Sequence, residues 1–89
     1  MKDCTISDEQ MKVIYKQIGR NVKKIRERNK ISQLNLALSI GHKSVGVISN
    51  SELCLQDKHF NIEHLVKIAN VLEVELIEFF EGLSISPIS

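Results

Sequence analysis

The sequence predicts an all-α protein: one small domain of five short-to-medium helices, no convincing strand, and an extended C-terminal tail. Three observations predict it. Apolar residues recur at spacings of three and four through the longer segments, which is helical rather than strand periodicity. A Ser or Asn stands just before several of these segments, with an apolar residue ahead of it and another at the fourth helical position, the pattern of an N-cap with a hydrophobic staple. Near the middle, SQLNLALSIGHKSVGVISNSE (residues 32–52) breaks at Gly41 and resumes as a small, polar, weakly charged segment. Two short helices joined by a tight glycine turn have the layout of a helix-turn-helix.

The first helix is expected from about residue 8 to 29. Ser7 and Gln10 fit a capping box, with Ile6 and Met11 as the staple. Met11, Ile14, Ile18, Val22 and Ile25 make its inner face, while Lys12, Lys16, Arg20, Lys23, Lys24, Arg28 and Lys30 occupy the other. The second helix is expected from Gln33 to about Ile40, capped by Ser32, with Leu36 inward and Ala37 allowing close approach of a neighbour. Gly41 takes the positive φ that ends it. Ser44 is expected to cap the third helix, Val45 to Glu52, anchored by Ile48. Asn61, flanked by Phe60 and Leu65, caps a fourth whose inner face is Leu65, Ile68, Ala69 and Leu72. A fifth runs from about Glu75 to Glu81 and stops at Gly82. The tail LSISPIS lacks helical periodicity and contains Pro87.

Eighty-nine residues suffice for one modest core. No apolar run approaches a membrane span, and the N-terminus is too polar for a signal peptide. Cys4 and Cys54 form no disulfide framework, so a reducing, cytoplasmic setting is the simplest expectation. The net charge of +1 hides an asymmetry: residues 1–60 carry eleven Lys/Arg against six Asp/Glu, and residues 61–89 carry one against five. A basic front and an acidic rear suit a polyanion on one side, although a solvated helix face would look the same. The outer positions of the third helix, Val45, Gly46, Ser49 and Asn50, are small and uncharged, as entry into a major groove about 12 Å wide requires.

The ordered set Arg26, Ser32-Gln33, Leu36-Ala37, Gly41, Ile48-Ser49 and Glu52, then LVKIANVLEV and LIEFF, resembles the phage repressor/Cro-type (XRE-type) helix-turn-helix family of DNA-binding regulators. The resemblance spans about Ile18 to Gly82. It implies a compact, lambda-repressor-like five-helix bundle over residues 1–82, with 1–6 as an N-terminal arm and 83–89 as a tail. It also implies that the third helix reads the major groove and that the protein binds an operator as a dimer, most simply as a repressor. Three features depart from the family pattern: a turn one residue longer, Ser51 where an apolar residue is usual, and a longer loop, LCLQDKHF, without Asn-Gly.

Resemblance and chemistry together assign the expected contacts. Gln33, at a helix N-terminus, faces a phosphate. His42, Lys43 and Ser44 lie in the turn near backbone or the first base pair. Asn50 is the chief base reader, since its amide matches adenine N6 and N7; Ser49 offers a hydroxyl and Val45 a thymine-methyl contact. Gly46 leaves room. Lys58 and His59 in the following loop, and Lys30 before helix two, approach phosphate. Arg26 and Glu52 are expected to form a partly buried ion pair, because the family commonly pairs these positions. In this sequence Arg26 also borders the buried face, and Glu52 follows Ile48 by one turn. Leu76, Ile77, Phe79, Phe80, Leu83, Ile85 and Ile88 exceed what a small core can bury and are expected to form a dimer interface.

Other functions fit less well. Cys54, His59 and His64 lack a paired Cys-x-x-Cys and a fourth ligand for zinc. No Gly-rich phosphate loop or His–carboxylate spacing suggests an enzyme, and no cofactor is expected. The serious alternative is a protein-interaction module, such as an antitoxin or anti-regulator subunit, built on the same fold; the near-neutral total charge speaks for it.

Overall fold

The computed structural model describes residues 3–84. They are helical, with no strand among them: α1 (Asp8–Arg28), α2 (Gln33–Ser39), α3 (Gly46–Leu53) and α4 (Ile62–Leu72), with 3-10 segments at Leu55–Asp57 and Leu76–Phe80. No helix among the described residues is long and apolar enough to cross a membrane.

Local chemistry sets most boundaries. Ser7 Oγ accepts the Gln10 N–H at 3.1 Å and Gln10 Oε1 accepts the Ser7 N–H at 2.7 Å, so α1 begins with a complete capping box. Ser32 caps α2 through the Asn35 N–H. Asn61 caps α4 through the His64 N–H at 2.7 Å, and His64 Nδ1 accepts the Asn61 N–H in return. Helices α1, α2 and α4 share one manner of ending. A residue at the C-cap (Glu73) or just after it (Lys30, Gly41) turns left-handed, and the next N–H reaches back five residues to Arg26, Ala37 and Ala69. This is the Schellman arrangement, in which only Gly41 is the residue type that φ favours.

The core joins all four helices. Ile18, Val22 and Ile25 of α1 meet Leu36, Ala37 and Ile40, Ile48, Leu65, Ile68 and Leu72, together with Phe60 and Phe79. Helix α3 packs against both α1 and α2, and the Leu76–Phe80 segment packs against α1 and α4. At the α1–α3 crossing, Gly19 is required by contact. A Cβ there would lie 2.5 Å from the Glu52 carbonyl oxygen and 2.8 Å from that of Ser51. Ser51, itself buried, keeps this side of α3 small.

Several expectations change. Helix three starts at Gly46, not Val45, and Ser44 does not cap it. Val45 is the N-cap residue, in αR conformation, with no side-chain cap bond. The longer turn carries Ser44 too far back to reach the first turn's N–H groups. The expected fifth α-helix is a 3-10 segment of five residues. Left-handed Glu73 and Gly82 bracket it so tightly that i→i+3 bonds are the natural closure. Leu83 and Ser84 have no regular structure; the rest of the tail, with Ile85 and Ile88, lies outside the described residues.

Candidate nucleic-acid interface

The buried charge at the centre of the fold fixes α3. Glu52 is 1% exposed and Arg26 7%. Arg26 Nε donates to Glu52 Oε2 at 2.6 Å and Nη2 to Oε1 at 3.1 Å, a bidentate pair of the strong, geometrically specific kind. Arg26 Nη1 donates to the Ile31 carbonyl at 2.8 Å. Gln33 Nε2 adds a third donor to the carboxylate, reaching Oε1 at 2.9 Å. One carboxylate thus ties α1, the start of α2 and the end of α3 together. No buried side-chain polar atom among the described residues lacks a partner.

This bond gives Gln33 a structural role beside the phosphate contact expected of it. One of its two amide N–H groups is engaged by Glu52, because a buried carboxylate needs donors that solvent cannot supply. The residue is a clamp on α3, and only its remaining N–H and carbonyl are left for an outside partner.

With α3 held this way, four of the expected contact residues come together. Gly46 and Asn50, one turn apart on α3, line a groove of about 240 Å³ whose other wall contains Lys58, His59 and His64. Asn50 is half-buried and Lys58 exposed. Gly46 has no packing reason to be glycine. A Cβ there would meet Asn50 Nδ2 at 3.7 Å and Ser44 Oγ at 3.8 Å, ordinary contact distances. Lys43, Ser44 and Val45 are exposed at the entry to α3, and Ser49 is half-buried. Lys30 is exposed beyond the end of α1. Neither Lys30 nor Gln33 lines the groove.

Three histidines gather around this groove and its neighbouring turn. His59 stacks on Tyr15, with ring centroids 3.6 Å apart and planes within 8°, so the loop that carries Lys58 rests on α1. His42 lies 5.5 Å from His64, centroid to centroid, and so approaches α4 as well as the turn. His64 is held below the ordinary histidine range, first by partial burial and next by the charge of His42. Its Nδ1 accepts a hydrogen bond from the Asn61 backbone, which also requires the neutral ring. The capping role of His64 has a local sequence signal, N-x-x-H at a helix start, but its position beside α3 has none.

Phe79 is withdrawn from the dimer interface. It is fully buried in the core, and Asn21 Nδ2 secures that segment by donating to the Phe79 and Glu81 carbonyls at 2.9 and 2.8 Å. Leu76, Phe80 and Leu83 are half-buried against the core, and Ile77 is 74% exposed.

No protein-family model matches this chain, and no curated protein sequence matches it.

Proposed function

We propose that the protein is a sequence-specific double-stranded DNA-binding regulator whose α2–turn–α3 unit works as a helix-turn-helix, with α3 in the major groove. The observation that carries this reading is the juxtaposition of Gly46 and Asn50 with Lys58 and His59 across one groove. It sets a small, amide-bearing helix face beside cationic and hydrogen-bonding loop residues. Base-edge contact needs the first and phosphate contact needs the second. A glycine that packing does not require fits the same reading, since a side chain there would meet an incoming base edge. Lys43, Ser44 and Val45 supply backbone and methyl contacts at the entry of α3. Ser49, half-buried, adds a hydroxyl, and His42 acts from the turn.

We further propose that two copies bind one operator. Ile77, with half-buried Leu76, Phe80 and Leu83, forms the centre of the contact. The output that this arrangement fits most simply is repression, by occupying the operator.

Selection of bound duplexes from a random pool, followed by salt titration, tests the assignment. A DNA reader yields a defined half-site and loses affinity steeply as salt rises. Asn50→Ala should cost about 1–3 kcal/mol on the selected site and little on random duplex. Lys43→Ala should weaken both and lower the salt slope by about one. Failure to enrich any sequence, with no salt-dependent duplex binding, would refute it.

A second reading has its own support. Leu34 and Leu38 on α2 and Ile62 and Val66 on α4 are exposed apolar residues, more than a DNA face uses. An interaction module of the antitoxin or anti-regulator kind would use them to hold a partner protein, and its binding would be weakly salt-dependent.

A further inference from the structure

A second cleft separates the N-terminal half of α1 from the loop after α3. It holds about 420 Å³, within the size range of small-molecule sites. Met11, Tyr15 and Cys54 give it apolar surface, and Lys12, Lys16 and Lys58 give it three ammonium groups. None of these ammonium groups forms an ion pair with a described residue. Asp8 and Asp57 also line the cleft. The Cys54 thiol, however, lies in the field of Lys16 and Arg20.

Two features of the loop wall point to binding. Cys54, Gln56 and Asp57 all hold left-handed φ values, 53°, 55° and 58°, which non-glycine residues rarely adopt and which concentrate at functional sites. Tyr15 and His59 lie face to face in the same cleft, a flat surface on which an aromatic ring can extend the stack. Lys58 and His59 also line the groove beside α3. One pair of residues therefore forms part of both walls.

We propose that this cleft binds a small carboxylate carried on a flat aromatic body, and that the bound carboxylate competes with DNA for Lys58. The ring lies against the apolar floor and the Tyr15–His59 stack, and the carboxylate takes the ammonium groups of Lys16 and Lys58. The competition rests on the DNA-binding role proposed for α3; the ligand site does not.

The test uses the full chain and three probes at matched ionic strength: 2-naphthoate, 2-naphthalenemethanol (the ring without the charge) and acetate (the charge without the ring). In a ¹⁵N NMR titration, 2-naphthoate should give saturable shifts centred on Lys12, Tyr15, Lys16, Cys54, Lys58 and His59. The other two probes should bind at least about ten-fold more weakly, because each lacks one half of the recognition. The double variant Lys12→Gln/Lys16→Gln, exposed on α1, should keep the wild-type Tm and lose about ten-fold in naphthoate affinity. Saturating 2-naphthoate should then weaken duplex binding, and less so in Lys58→Gln. Non-saturating shifts scattered over surface lysines, equal binding of the alcohol, or undiminished binding by the double variant would each overturn the site. Naphthoate binding that leaves duplex affinity unchanged would overturn the competition. A chain that binds naphthoate but no duplex would refute the DNA role while supporting the cleft.

Discussion

Arg26 and Glu52 carry the largest single-residue stake. The carboxylate is removed from water and compensated by two Arg26 bonds and one from Gln33. Deleting one partner strands the other, which costs about 3–5 kcal/mol for a buried pair. In a domain this small that is a large share of the total stability. Arg26→Met or Glu52→Gln should therefore lower Tm sharply by calorimetry; an unchanged Tm in both would show that the pair is not formed. His64 has a different signature, one of pH. Its folded pKa is lowered, so the unfolded chain binds its proton more readily. The stabilisation is then complete above the ordinary histidine pKa of about 6.5 and is lost as pH falls below it, through the folded pKa. Tm should drop between pH 7.5 and 5.5. The drop should shrink in His64→Gln, which keeps a capping acceptor at the third helical position but does not titrate. Equal drops in the two proteins would remove His64 as the sensor.

Among the elements, the α1–α3 crossing is the tightest contact. A methyl group on Gly19 would press on backbone carbonyls of α3 rather than on a side-chain end, and backbone cannot swing aside. Gly19→Ala should raise helix propensity yet destabilise by about 1–3 kcal/mol through overpacking, measurable by urea unfolding. It should also weaken specific DNA binding by tilting α3; a neutral or stabilising result would mean that the helices stand further apart. The helix ends respond in the opposite direction. Glu73 closes α4 with φ 56°, a left-handed conformation that costs a non-glycine residue roughly 1–2 kcal/mol. Glu73→Gly should relieve most of this and gain about 0.5–1 kcal/mol after its extra unfolded-state entropy is counted. For a domain of this size that is several degrees in Tm. Because Glu73 is remote from the groove residues in sequence and lines none of the grooves beside α3, DNA affinity should stay constant.

At the scale of the whole molecule, the operator binding proposed above calls for pairing two copies. Ile77 is the most exposed of the large apolar side chains described, and it projects from a segment that Asn21 anchors to α1. A two-fold contact there would set the two α3 helices about 34–36 Å apart, for half-sites one turn apart. Ile77→Asp should convert a sedimenting dimer to a monomer with unchanged circular dichroism, and should reduce affinity for a two-half-site operator far more than for one half-site. A wild-type chain that sediments as a monomer at high concentration and protects a single half-site would refute the dimer.

What the sequence determined by itself is local in its physics. Ser7, Ser32 and Asn61 announce three helix starts because a cap and its helix lie within four residues of each other. The core positions Ile18, Val22, Leu65 and Ile68 follow from periodicity along single helices. The Arg26–Glu52 contact was legible chiefly through the resemblance, which implies that these positions pair; each also borders a buried face. Only the tertiary structure decided matters that depend on what another element brings near. Gln33 turns inward because Glu52 needs a third donor. Phe79 belongs to the core because α1 and α4 leave a space that its ring fills. Gly19 must be glycine because α3 crosses there, and nothing within α1 announces it. His59 and His64 line one groove beside α3 although four residues part them in sequence, and Tyr15 stacks on a ring 44 positions later. Periodicity records which face of a helix is buried; it carries no record of the partner, because packing partners are chosen by shape and charge across distances the chain order does not encode.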